Sequence, residues 1–218
     1  MITALNQVEE SKESRNLGRP RQFDADETLE TALEYFWKRG ARATTRQLEK
    51  VLGISQSSIY NTFGSKTKLL EAALDRYEQK TNRALIEPLE NNPDGLAAID
   101  EFFENLKTWA SVGDRRGCML INLMAEDGGE TQAIVMRARG YRGRVRTALC
   151  NALKRAEKSG QTFAGHIDDR AELLMCMVLG FNISARGGAS YEELDRLIGS
   201  VKAQTGNWKV AATSSVVA

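Results

Sequence analysis

The stretch ISQSSIYNTFGSK, Ile54 to Lys66, is dense in side chains that recognise rather than react. Gln56 and Asn61 each hold a donor and an acceptor side by side, the arrangement that pairs bidentately with an adenine edge. Ser55 and Ser57 add hydroxyls, and Tyr60 adds a phenol. The first half of the stretch is too polar for a core strand and too short to persist as an isolated helix. Something beneath it must hold it.

A second group with chemistry is RRGCML, Arg115 to Leu120. Cys118 follows two arginines and a glycine near an expected helix start. Both the cations and the helix dipole would lower its pKa and favour thiolate, so an oxidant or electrophile could act there. A small buried core residue is the competing reading. The other cysteines, Cys150 and Cys176, are scattered, and there is no CxxC pair, so neither a disulfide framework nor a zinc site is expected. His166 is the single histidine. With no phosphate loop, no GxSxG and no dinucleotide fingerprint, enzymatic turnover is disfavoured, and neither metal nor cofactor is expected. The longest apolar stretch, around Leu173 to Phe181, falls short of the roughly 20 residues of a membrane span. The N-terminus lacks the apolar run of a signal peptide, so the cytoplasm is the expected location.

The elements that position the polar stretch are short helices. Asp24 or Asp26 can cap a first helix whose stripe is Leu29, Ala32, Leu33, Phe36 and Trp37, ended by Gly40. Thr44 can cap a second, with Leu48, Val51 and Leu52 turned inward and Gly53 closing it. Ser55 then caps a third, QSSIYNTF, held by Ile59 and Phe63. A fourth runs from about Lys66 towards Ile86. EPLENNPDG, with two prolines, breaks the chain. Everything after Gly95 reads as helix, although Gly140 and Gly143 weaken the long segment that contains them.

Two short helices joined at a glycine turn and packed under a third make a helix-turn-helix. From about Phe23 to Leu70 the chain resembles the DNA-binding domain of the TetR (tetracycline-repressor-like) family. Gly40, TTRQL, Gly53, IS, IY, Phe63 and SKTKLL carry the match without a gap, and Ala43, Leu52, Ser57 and Thr62 depart from the common residues. The resemblance implies an all-α protein with a helix-turn-helix domain followed by a larger helical ligand-binding and dimerisation domain. The expected divisions are a flexible basic arm over residues 1–22, a DNA-binding domain over 23–68, a ligand-binding domain over 69–205 and a flexible tail over 206–218.

On this reading Ser55, Gln56, Ser57 and Asn61 face base edges, and Tyr60 reaches a phosphate as the matching family Tyr does. The start of the third helix would point free N–H groups into the groove. Thr44 and Arg46 meet the backbone, and Lys66 binds phosphate while linking the domains. Arg19 and Arg21, in GRPR, suit a narrow A·T-rich minor groove. From Arg15 to Lys68 ten Lys/Arg face six Asp/Glu, an excess of four in a chain whose net charge is +1. That asymmetry suits a polyanion.

One such module makes few contacts, so the expected partner is palindromic double-stranded DNA bound by a homodimer. The last two helices are the expected interface, with Leu173, Leu174, Met177, Val178, Phe181, Leu194, Leu197, Ile198 and Val201 supplying area and Gly180 and Ala185 close approach. The family resemblance implies a regulator, a repressor released by an unidentified small molecule; thiol sensing at Cys118 is the alternative. Candidate ligand-lining residues are Phe103, Trp109, Cys118, Met119, Asn122, Met124, Tyr141, Cys176 and Phe181, each with plain core packing as its competitor. Asn122 stands out as an amide inside an apolar run.

Overall fold

The computed structural model describes residues 23–111, 116–127 and 131–210. Among them the chain is helical, with one isolated bridge between Thr162 and Lys209. The first helix, α1 (Ala25–Arg39), is capped by Asp24, whose carboxylate accepts the N–H of Asp26 at 2.7 Å and of Glu27 at 3.4 Å. Asp26 and Glu27 lie in its first turn and Lys38 and Arg39 in its last, which complements the helix dipole. Helix α2 (Thr45–Leu52) opens on a reciprocal cap: the Thr44 hydroxyl accepts from the Gln47 N–H, and the Gln47 side chain accepts from the Thr44 N–H. Helix α3 (Gln56–Phe63) is capped by Ser55, and α4 (Lys66–Thr81) by Ser65.

What clamps α3 is apolar contact from below. Leu48 and Ile59 are fully buried with Leu33, Phe36 and Leu69. Each such side chain contributes about 1.5–3 kcal/mol by leaving water. Phe63 and Leu52 are half-buried against the same cluster. Val51, expected inward, is 41% exposed. A two-turn helix resting on α1 and α3 has a narrow inner stripe, which Leu48 fills, and Val51 lies past its edge.

The expected break at EPLENNPDG falls later. After α4 the backbone widens into a π-turn (Asn82–Ile86) and continues as α5 (Glu87–Asn91). Pro88 is the second residue of α5, directly after the widened turn, which gives its ring room. Asp94 then starts α6 (Gly95–Ser111), its carboxylate accepting the Ala97 N–H at 2.9 Å. Gly95 is needed for close approach: a Cβ there would lie 2.2 Å from the Ala152 carbonyl oxygen.

The remaining helices are α7 (Met119–Asp127), α8 (Gln132–Lys158), α9 (Ile167–Arg186) and α10 (Tyr191–Gly206). Helix α8 is continuous through Gly140 and Gly143, since its buried stripe, including Ala138, Val145 and Leu149, holds it against α6 and α9. Two apolar cores result. One joins α1–α4 to α7 and the start of α8; the other joins the π-turn, α5, α6 and α8–α10. Trp109 and Tyr141 pack against both.

Burial within the subunit claims much of the expected interface. Leu174, Val178, Phe181, Ala185, Leu194, Ile198 and Val201 are buried in their own chain, because α9 and α10 must cover α6 and α8. Leu173, Ile183 and Leu197 remain exposed, Met177 is half-buried, and Gly180 is open. No helix among the described residues is long and apolar enough to cross a membrane.

Candidate nucleic-acid interface

The polar rim of α3 lies outside, as its anchored underside requires. Gln56, Ser57, Tyr60 and Asn61 are exposed, while Ile59 between them has no exposure. Ser55 is exposed too, but its hydroxyl is committed: it accepts from the Ser58 N–H at 3.2 Å and meets the Ser57 hydroxyl at 2.8 Å. The Gln56 N–H donates to the Glu49 carboxylate at 2.5 Å. At the start of α3 the N–H groups of Gln56 and Ser58 are therefore taken, one by a side chain of α2 and one by the cap. The side chains of Gln56, Ser57, Tyr60 and Asn61 remain exposed on its outer face.

Thr44 and Arg46 are exposed at the start of α2. Arg46 has no acidic partner among the described residues. Lys66 has partners within the protein. Its ammonium donates to the carbonyls of Ala41 and Ala43, both at 3.0 Å. The turn between α1 and α2 leaves those carbonyls without helical partners, and Lys66 is half-buried over them. It clamps the turn between α1 and α2. Lys50 and Lys68, which the sequence reading passed over, are exposed cations on α2 and α4. Arg19 and Arg21 lie outside the described residues.

The reading module is tied to the body through α1, α4 and α7. Arg76 of α4 donates to the Asp26 carboxylate at 2.5 Å and to its carbonyl at 2.9 Å, and Lys80 pairs with Glu30. The Trp37 indole N–H donates to the Gly117 carbonyl at 3.0 Å, and the Arg116 guanidinium lies 4.7 Å over the Trp37 ring while pairing with Glu34. At the far end of α7, Glu126 is a second tie. Its carbonyl accepts from Arg42 at 3.2 Å, and its carboxylate pairs with Arg186 of α9 at 2.8 Å. That carboxylate presses on Gly40, where φ is +72° and a Cβ would meet Oε2 at 1.6 Å.

Behind these ties a cavity of about 370 Å³ opens among α4, α6, α7, α8 and α9. Of the expected lining residues it takes Trp109, Cys118, Met124 and Tyr141. Phe103, Met119 and Phe181 are buried core residues elsewhere, and Cys176 faces outward. Asn122 lies off the cavity, its amide donating to the Arg116 carbonyl at 2.6 Å. Unforeseen lining residues include Tyr77, Phe102, Met175 and Asn182. Asn182 was open to the argument applied to Asn122: it is an amide in the apolar run LGFNIS, and it is 5% exposed.

Cys118 reverses its expectation. Burial pushes its thiol pKa up, since a thiolate there would lose its hydration. The nearby Arg116 is engaged with Glu34 and Trp37. Tyr77 is likewise shifted up, first by burial, and its hydroxyl accepts the Met119 N–H at 3.2 Å. Among the described residues no three His, Cys, Asp or Glu side chains are grouped to hold a metal ion.

Residues 29–73 match the family model described as bacterial regulatory proteins, tetR family. The HTH-type transcriptional repressor ComR of Escherichia coli (strain K12) is 30% identical over 87% of this chain and 91% of its own. The HTH-type transcriptional repressor NemR of the same strain is 29% identical over 72% of this chain and 80% of its own. Among solved structures, a cysteine mutant of the TetR family transcriptional regulator CifR, complexed with a 26-bp double-strand operator DNA, superposes with a TM-score of 0.77. It is 25% identical and covers 88% of this chain and 100% of that one.

Proposed function

The chain belongs to the TetR family of bacterial regulatory proteins, and we propose that it is a homodimeric repressor which a small molecule releases from a palindromic operator. One observation carries the DNA-binding part: the hydrophilic rim of α3 stands clear of the protein while its underside is fully buried. Such a helix lies in the major groove, where Gln56 and Asn61 read adenine edges and Ser57 either base. Tyr60, Thr44 and Arg46 hold phosphates and so fix register. The family match and the operator-bound relative support this assignment.

The dimer forms through α9 and α10. Leu173, Gly180 and Ile183 are exposed along one side of α9, with Met177 half-buried against the core between them, and Leu197 is exposed on α10. A two-fold axis there sets two recognition helices about 34–36 Å apart, one turn of duplex. The effector enters the cavity walled by Tyr77, Trp109 and Tyr141. Tyr77 is on α4 and Trp109 stacks on Trp37 of α1, so filling the cavity biases how α1 and α4 sit and hence the spacing of the two reading heads. Sensing through a Cys118 thiolate is set aside, because burial keeps that group protonated.

The test uses full-length protein and a fluorescent duplex from upstream of its own gene. Binding should fall steeply with salt, saturate at one dimer per palindrome and weaken at least tenfold in Gln56→Ala. Equal affinity for unrelated duplexes in the wild type would overturn the assignment.

A further inference from the structure

The composition of the cavity says what its occupant must bring. Its walls are apolar and aromatic, and among the described residues no carboxylate lines it. Tyr77, Trp109, Tyr141, Arg139 and Arg142 bring donors to the wall, and Asn182, whose amide N–H is taken by the Val178 carbonyl, brings one acceptor oxygen. Tyr77 and Tyr141 are both shifted up by burial and so stay phenols. The indole N–H of Trp109 is buried without an acceptor among the described residues. A donor surplus of this kind is completed by a ligand that supplies acceptors.

The charge around the cavity points the same way. Helix α8 carries five arginines between positions 137 and 146. Arg137 pairs with Asp75 and Glu78, Arg142 with Glu172 at 3.0 Å, Arg144 with Glu78 at 2.5 Å, and Arg146 with Asp168 at 2.8 Å and Glu172 at 2.5 Å. Arg139 has no acidic partner among the described residues. It is exposed and yet lines the cavity, so it stands at the mouth with its guanidinium uncommitted. A guanidinium there suits a carboxylate, which accepts two parallel N–H bonds from it. A cation entering the same cavity would meet Arg139 and Arg142 and no counter-charge among the described lining residues.

We propose that the effector is an organic carboxylate, with an apolar ring-bearing body among Phe102, Trp109, Tyr141 and Met175 and its carboxylate held by Arg139 at the mouth. This rests on the reading that the cavity is the effector's site. A body of two fused rings suits a space of about 370 Å³, within the range of small-molecule sites.

Four matched probes separate the possibilities in calorimetry with the full-length dimer: 1-naphthylacetate, 1-naphthylacetamide, 1-naphthylmethylamine and 1-methylnaphthalene. The carboxylate should bind about tenfold more tightly than the amide, and the amine most weakly of the three polar probes. Arg139→Gln should bring the carboxylate down to the level of the amide and leave the amide and the hydrocarbon unchanged. That invariance shows that the cavity itself is intact. If the amide or amine equals the carboxylate, or Arg139→Gln leaves carboxylate affinity untouched, the assignment is overturned while the cavity remains the site. If only the hydrocarbon binds, the carboxylate assignment falls alone. If none of the four binds, the cavity reading falls with it.

Discussion

Arg46→Gln isolates one term of the binding free energy. Arg46 is exposed in the first turn of α2 and has no acidic partner among the described residues, so its charge is available to a phosphate. Its removal breaks no contact within the protein, and the melting temperature should stay within a degree. Each phosphate neutralised by a cation contributes about −0.9 to the slope of log K against log salt. A dimer loses two such contacts, so the slope should become shallower by about 1.8. Between 50 and 200 mM salt, a fourfold change, the wild type's advantage over the variant should then shrink by about twelvefold. Fluorescence anisotropy with a palindromic duplex over a salt series measures both slopes. A uniform loss of affinity with an unchanged slope would mean that Arg46 does not neutralise a phosphate, and the proposed docking of α2 would be wrong.

Other perturbations address the remaining parts of the argument. Lys66→Met leaves two carbonyls unpartnered and should destabilise the protein by about 1.5–3 kcal/mol, seen as a lower denaturation midpoint. Gly40→Ala forces an alanine into a glycine-only backbone region and places a Cβ against the Glu126 carboxylate, and should cost about 1–3 kcal/mol and alter how strongly an effector weakens DNA binding. Leu173→Glu with Ile183→Glu should give a monomer in sedimentation and lose tight operator binding while keeping its helical circular dichroism. The raised thiol of Cys118 binds its proton more tightly in the folded state than in the unfolded one. Its contribution to stability is therefore complete below the ordinary thiol range and is lost as pH rises above about 8.5, a decline that Cys118→Ala should reduce in thermal melts.

The parts legible in the sequence were those decided within a few residues. Asp24, Thr44 and Ser55 cap because their oxygens reach N–H groups two or three positions on, and Gly40 and Gly53 stop helices because φ there is positive. Ile59 was readable as an anchor from periodicity alone. Outcomes that depend on distant partners were not. Lys66 has the right type and position for a phosphate, and only the fold reveals the carbonyls of Ala41 and Ala43 beneath it. The arginines flanking Cys118 predicted thiolate, but Glu34 and Trp37 claim Arg116, and packing from α4 buries the sulfur. The cavity draws on five helices, and Tyr77, Phe102 and Met175 carry no local mark that separates a wall from a core.

The aromatic stack of Trp37 on Trp109, with ring centroids 5.8 Å apart and planes 27° from parallel, joins a helix of the reading module to the wall of the cavity. Indole emission is sensitive to its neighbours at this range, so the molecule carries a built-in optical gauge of its own switching. Trp208, beneath Arg170, emits from outside the cavity. A compound that enters the cavity should therefore change the emission of this pair in unlabelled protein, and Trp109→Phe should reduce that change while Trp37 and Trp208 still emit.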